Sequence, residues 1–146
     1  MRRRDERGSA IVEVTWLALI LMVPLVYLLL SVFDLQRASY GVSAASRAAG
    51  RAFVLAPDQR TAQARAQHAA EVAMRDQGLD LEQAQVQVSC RPDPARCLAP
   101  GAVVTVLVRA RQPLPLVPSF LGSGRPEVRV QSTHVEPYGT FREDRT

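Results

Sequence analysis

Residues 14–33 carry no charge over 20 positions, which as a helix is about 30 Å, the thickness of a bilayer's hydrocarbon core. One membrane-spanning helix is predicted there. Beyond it, Leu35, Ala38, Val42, Ala45, Ala49, Ala52 and Ala56 recur at alternating spacings of three and four, while Gln36, Tyr40, Ser43, Arg47 and Arg51 take another side. The helix is therefore expected to continue past the membrane with a seam of small residues, open either to another helix or to the chain's own domain. Gly41 and Gly50 weaken this extension, and Pro57 is its predicted stop. Asp58 is placed as the N-cap of a second, Ala-rich helix running to about Gln77, with Gly78 ending it.

The pattern then changes to period two. Val86, Val88 and Cys90 alternate with Gln85, Gln87 and Ser89; Val104, Val106 and Val108 form the next run; Val128 and Val130 alternate with Arg129 and Gln131. An antiparallel sheet of about three strands follows, making the fold class α+β. Residues 112–122 hold too many prolines for a ladder and too many apolar residues for a solvated linker, so an irregular crossing, or a segment lying on the membrane or a neighbour, is expected. Residues 142–146 read as a frayed charged tail.

Length and charge narrow the options. In 146 residues there is room for one compact domain, marginal unless a membrane, a partner or a disulfide supports it. The division is a basic leader at 1–8, the spanning helix at 9–33 and an extracytoplasmic domain at 34–146. All 18 basic residues are Arg, with neither Lys nor Asn in the chain, a bias that a GC-rich genome explains more simply than guanidinium chemistry. The net charge of +4 is scattered and aromatics are few, which argues against nucleic acid as a partner.

Arg2, Arg3, Arg4 and Arg7 precede the span, whereas Asp34 and Arg37 follow it, so the N-terminus is expected in the cytoplasm and the C-terminus outside. Arg47 and Arg51 blunt the contrast. A cleavable secretory signal, with Val42-Ser43-Ala44 as its cut site and a soluble product beginning near Ala45, fits poorly, because the apolar run exceeds the ~7–15 residues of an h-region.

Cys90 and Cys97 flank Arg91-Pro92-Asp93-Pro94-Ala95-Arg96, a turn-forming stretch that lets flanking strands bring the thiols together. A disulfide in an oxidising compartment is favoured over zinc, since His68 and His134 lack finger-like spacing. Two ordinary buried thiols are the other alternative. No nucleophile elbow, phosphate-binding glycine loop or metalloenzyme spacing occurs, so no enzyme activity, cofactor or metal is expected. His68 and His134 are read as structural or surface residues.

The informative stretch is Gly8-Ser9-Ala10-Ile11-Val12-Glu13. A carboxylate entering a membrane helix is costly and asks for a partner. Cleavage after Gly8 would create one, an ammonium at Ser9, four residues before Glu13. The alternative is that Glu13 reaches the interface by snorkelling.

A basic leader, Gly8, then Glu13 opening an apolar helix resembles the type IV prepilin signature, and Arg7-Gly8-Ser9-Ala10-Ile11-Val12-Glu13 is similar to the TadE-like pseudopilins of the tight-adherence pilus system. The ending, a Pro-rich crossing followed by Val128-Arg129-Val130-Gln131-Ser132-Thr133-His134-Val135-Glu136-Pro137, resembles that family's final strand. The chain departs from the pattern where Val14 follows Glu13 in place of an aromatic, and where Ser9 replaces a bulky first residue.

The resemblance implies a pilin-like layout and a minor subunit in assembly of a surface pilus. It implies cutting between Gly8 and Ser9 by a prepilin peptidase, with other pilin-like subunits and pilus-assembly membrane proteins as partners. The location implied is the bacterial cell membrane, or the pilus and cell surface after processing. The rival is an unprocessed, single-pass signal-anchored envelope protein supporting a membrane complex.

The charge asymmetry gives a direct test: a reporter active only outside the cytoplasm, fused after Thr146, is expected to be active, and activity from a cytoplasm-only reporter there would reverse the topology.

Overall fold

A computed structural model of the protein describes residues 7–79, 84–113 and 127–146. The order of elements is α1 (Arg7–Val54), α2 (Gln59–Asp76), β1 (Gln85–Arg91), β2 (Val103–Pro113) and β3 (Glu127–Pro137). The strands form one antiparallel sheet in the order β1-β2-β3. This is the α+β layout of a long apolar N-terminal helix, a second helix and three strands. Residues 1–6, with most of the basic leader, and the Pro-rich stretch after Pro113 lie outside the described residues.

α1 is continuous over 48 residues, about 72 Å at 1.5 Å per residue. Pro24 sits inside it, lacking the N–H that would bond the carbonyl one turn back. The helix has two regimes. From Ala10 to Leu30 its side chains are exposed apart from a half-buried Tyr27, and from Ala38 a stripe of Ala38, Val42, Ala45, Ala49 and Phe53 is buried. The seam therefore closes on the chain's own domain. Ala52 departs from expectation: it is only half-buried, and Phe53 and Val54 complete the buried face instead.

α2 packs beside α1 through Ala62, Ala66, Ala70 and Met74, all fully buried. Four residues of spacing place them on one face, and the small side chains let the axes approach closely. Asp58 caps the start, its side chain accepting from the Thr61 N–H at 2.9 Å. At the other end, Gly78 takes φ +66°. The Leu79 N–H then reaches Met74 O at 3.1 Å and the Gly78 N–H reaches Arg75 O at 2.8 Å, a Schellman closure with Leu79 and Met74 both in the core.

The sheet lays its inner face on the helices. Val104, Val106, Val108 and Ala110 of β2 are buried, joined by Cys90 of β1 and Val130 of β3. β2 runs further than expected, through Gln112 to Pro113, which pairs with Glu127; a proline is tolerated there because the ladder ends at that residue. The buried Ser46 hydroxyl lies 3.2 Å from Ser132 Oγ and donates to Ser43 O at 3.0 Å, so it joins α1 to β3 without an unpaired group.

Gly41 and Gly50 are explained by space. A Cβ at Gly41 would fall on Leu79 Cδ1, and one at Gly50 would stand 3.1 Å from His134 Cδ2 and 3.5 Å from Glu136 Cβ. The His134 ring is held by Glu136 at 2.9 Å, which limits its freedom to move aside.

Helix propensity alone would make a larger residue at Gly50 stabilising by up to ~1 kcal/mol; close packing reverses the sign. Gly50→Val is expected to destabilise the domain by roughly 1–3 kcal/mol, whereas Gln63→Ala on exposed α2 should stay within about 0.5 kcal/mol. Pulse proteolysis in detergent with a denaturant series measures both.

Candidate functional site

Two regions hold the residues singled out from sequence, and they lie at opposite ends of α1. Gly8, Ser9 and Glu13 occupy its first two turns. The candidate scissile bond is therefore helical in this structure, although the first-turn N–H groups have no intrahelical acceptors and that turn is the easiest to open. Positions 9 and 13 lie four residues, about one helical turn, apart along α1.

Around Glu13 the surface is apolar. Ile11, Trp16, Leu17, Ile20 and Leu21 are each more than three-fifths exposed, and Glu13 is the one charged residue between Ala10 and Phe33. Hydroxyls in this half turn back on the helix: Thr15 Oγ1 donates to Ile11 O at 2.8 Å and Ser31 Oγ to Tyr27 O at 2.9 Å. The segment thus presents almost nothing that needs water, and it is long and apolar enough to cross a membrane.

The second region is built at the far end. Cys90 and Cys97 form a disulfide, with Cα atoms 5.3 Å apart. Cys90 pairs in register with Val104, but Cys97 is not on a strand as expected; it lies in the turn region before β2. The loop between them is ordered by Asp93, whose carbonyl accepts from the Arg96 N–H at 3.1 Å and whose carboxylate accepts from the Ala95 N–H at 2.9 Å. Gln59, the first residue of α2, clamps it from outside. Its Nε2 donates to Ala95 O at 2.9 Å and its Oε1 accepts the Cys97 N–H at 3.1 Å.

The tail at 142–146 is not frayed. Arg142 Nη1 donates to Val54 O, the last carbonyl of α1, at 3.0 Å, and Arg145 Nη1 to Ala56 O just beyond it at 3.3 Å, so two cations sit at the negative end of the helix. The Arg145 N–H donates to Leu98 O at 3.1 Å, and Arg96 forms an ion pair with Asp144. Tyr138, buried, donates to Glu143 O at 2.7 Å, with the Arg142 guanidinium 4.9 Å from its ring centroid. Sequence reasoning missed this arm because partners nearly ninety positions apart leave no local pattern; the available signal was that a helix ending at Val54 needs cations nearby.

Asp144 is held below the ordinary carboxylate range, first by the Thr146 hydroxyl, then by the Thr146 N–H and by Arg96, with desolvation opposing. Its folded carboxyl releases its proton at a lower pH than the unfolded one, so this contribution is complete above about pH 3.8 and is lost as pH falls through the lower folded value.

The histidines stand apart. His68 is exposed on α2, and His134 of β3 pairs with Glu136. Among the described residues no three His, Cys, Asp or Glu side chains converge. No protein-family model, curated protein or solved structure matches the chain.

The disulfide loop supplies Arg96 to the arm, and Leu98 O follows directly after Cys97. Replacing both cysteines by Ser is expected to cost about 2–3 kcal/mol by the chain-entropy relation and to speed carboxypeptidase removal of residues 142–146; an arm equally resistant in the variant would separate the two features.

Proposed function

We propose that the protein is a minor pilin-like subunit, of the TadE-like kind, that acts in assembly of a surface pilus by holding and presenting its outer domain through α1. The observation that supports this most is the split of one continuous helix: an exposed, apolar stretch from Ala10 to Leu30 with Glu13 as its single charge, and a second half that serves as the spine of a small α+β domain. Such a helix places a folded domain at a fixed height above a bilayer, and partners recognise it through that domain and through the helix face carrying Glu13.

Within this reading, a prepilin peptidase cuts between Gly8 and Ser9. The bond lies in the first turn of α1, where opening the helix breaks few hydrogen bonds and Gly8 adds no side chain to obstruct the protease. The new Ser9 ammonium then sits one helical turn from Glu13, on its own chain or facing a neighbour's Glu13. Charge neutralisation lowers the cost of both groups at the edge of the membrane.

The helical state of Gly8 and Ser9 favours a second reading, an unprocessed signal anchor that supports a membrane complex. Its Glu13 snorkels and no new amine exists. The mass of the membrane-extracted chain distinguishes the two.

Gly8→Val is expected to accumulate the full-length form in cells making the whole machinery, because it acts on the uncut chain. Glu13→Gln, which keeps size and polarity, should be cut normally yet lose co-purifying pilin-like subunits, with a pair energy of roughly 1–3 kcal/mol in this partly hydrated setting. If Glu13→Gln assembles as well as the natural chain, the charge-pairing role is wrong.

A further inference from the structure

The end of the sheet nearest the apolar half of α1 gathers arginines. Arg111 of β2 and Arg129 of β3 are register partners, both exposed, and Arg109 lies two positions back along β2. The three line one open recess together with Gln85 and Gln131. Like charges directly opposite one another destabilise a sheet. Glu127, 3.9 Å from Arg111, offsets this only in part, and Arg109 donates to Gln87 Oε1 at 3.1 Å, which adds no negative charge.

The height of this cluster is set by α1. Ala38 shares a small recess with Ala110, Arg111 and Pro113, and lies about 7–8 Å along the helix beyond Phe33. The headgroup layer outside a ~30 Å hydrocarbon core is roughly 5–8 Å thick on each side. With the reach of an arginine side chain, the guanidinium groups meet the level of lipid phosphates. The planar guanidinium fork matches phosphate oxygens two at a time.

We propose that Arg109, Arg111 and Arg129 form a binding surface for the phosphates of anionic phospholipids in the bilayer that α1 crosses, fixing the domain's tilt on the membrane. The proposal rests on the membrane-spanning reading of α1 but not on processing at Gly8, and it holds for either orientation of the chain.

The test uses the full chain with ¹⁵N-arginine in lipid nanodiscs carrying a trace of headgroup spin-labelled lipid. Relaxation enhancement at the Arg111 and Arg129 amides is compared with that at Arg91 and Arg96 in the distal loop. In discs with about one-third phosphatidylglycerol the enhancement at Arg111 and Arg129 should be at least roughly threefold that in phosphatidylcholine discs, and should fall in about 0.5 M salt. The R111Q/R129Q pair should abolish the lipid dependence, read there at Arg109, and R111K/R129K should retain most of it.

If the glutamine pair fails to fold, seen as shifted Arg91 and Arg96 resonances, the lysine pair and the lipid and salt comparisons decide the matter. Equal enhancement in the two lipids overturns this proposal alone. A chain that does not enter the disc overturns the membrane reading with it.

Discussion

One helix has to satisfy two surroundings at once. From Ala10 to Leu30 α1 exposes apolar side chains apart from Glu13, with the Thr15 hydroxyl bonded back to the helix's own carbonyls and Ser31 just beyond doing the same, and it is long and apolar enough to cross a membrane. Over its second half the same helix carries Ala38, Val42, Ala45 and Ala49 on one face. Small side chains there bring α2 and the sheet close, and Gly41 and Gly50 open the two tightest approaches. Among the described residues, the buried cluster of the domain is built against this spine, so its position along α1 is fixed by the change from one regime to the other.

Closing the far end of that spine takes a different kind of interaction. The last carbonyls of a helix lack intrahelical partners; the Leu55 and Ala56 N–H groups satisfy those of Arg51 and Phe53, and Pro57 has no N–H to add. Arg142 and Arg145 supply hydrogen bonds to Val54 and Ala56. Their own positions depend on Tyr138 packed beneath, on Arg96 of the disulfide loop and on Leu98 directly after it. The disulfide therefore does more than shorten a loop. It fixes the carbonyl and the cation that hold the chain's last residues against the helix end, while Gln59 ties the same loop to the start of α2.

Much of the fold was legible in the sequence. The uncharged run at 14–33, the three-and-four spacing from Leu35, the Asp58 cap, the Gly78 stop and three period-two runs each arise from interactions within a few residues, so a local pattern reports them. The candidate processing residues Gly8, Ser9 and Glu13 all fall on α1, and their proposed roles rest on spacing along that helix.

Tertiary structure decided what distance in sequence concealed. Local spacing marked the seam as small but left its partner open; the sheet and α2 fill it. Propensity made Gly50 a weakness, whereas the His134 ring, 3.1 Å from where a Cβ would stand, opposes a larger residue there. Charge at the C-terminus suggested a loose tail, yet long-range hydrogen bonds fasten it. The same holds for Arg111 and Arg129, which face each other only because the register of β2 on β3 makes them partners. Hydrophobic period, caps and breakers act over one or two turns and are written in the chain, while close approach, helix-end capping by remote cations and the meeting of like charges exist only once the elements are packed.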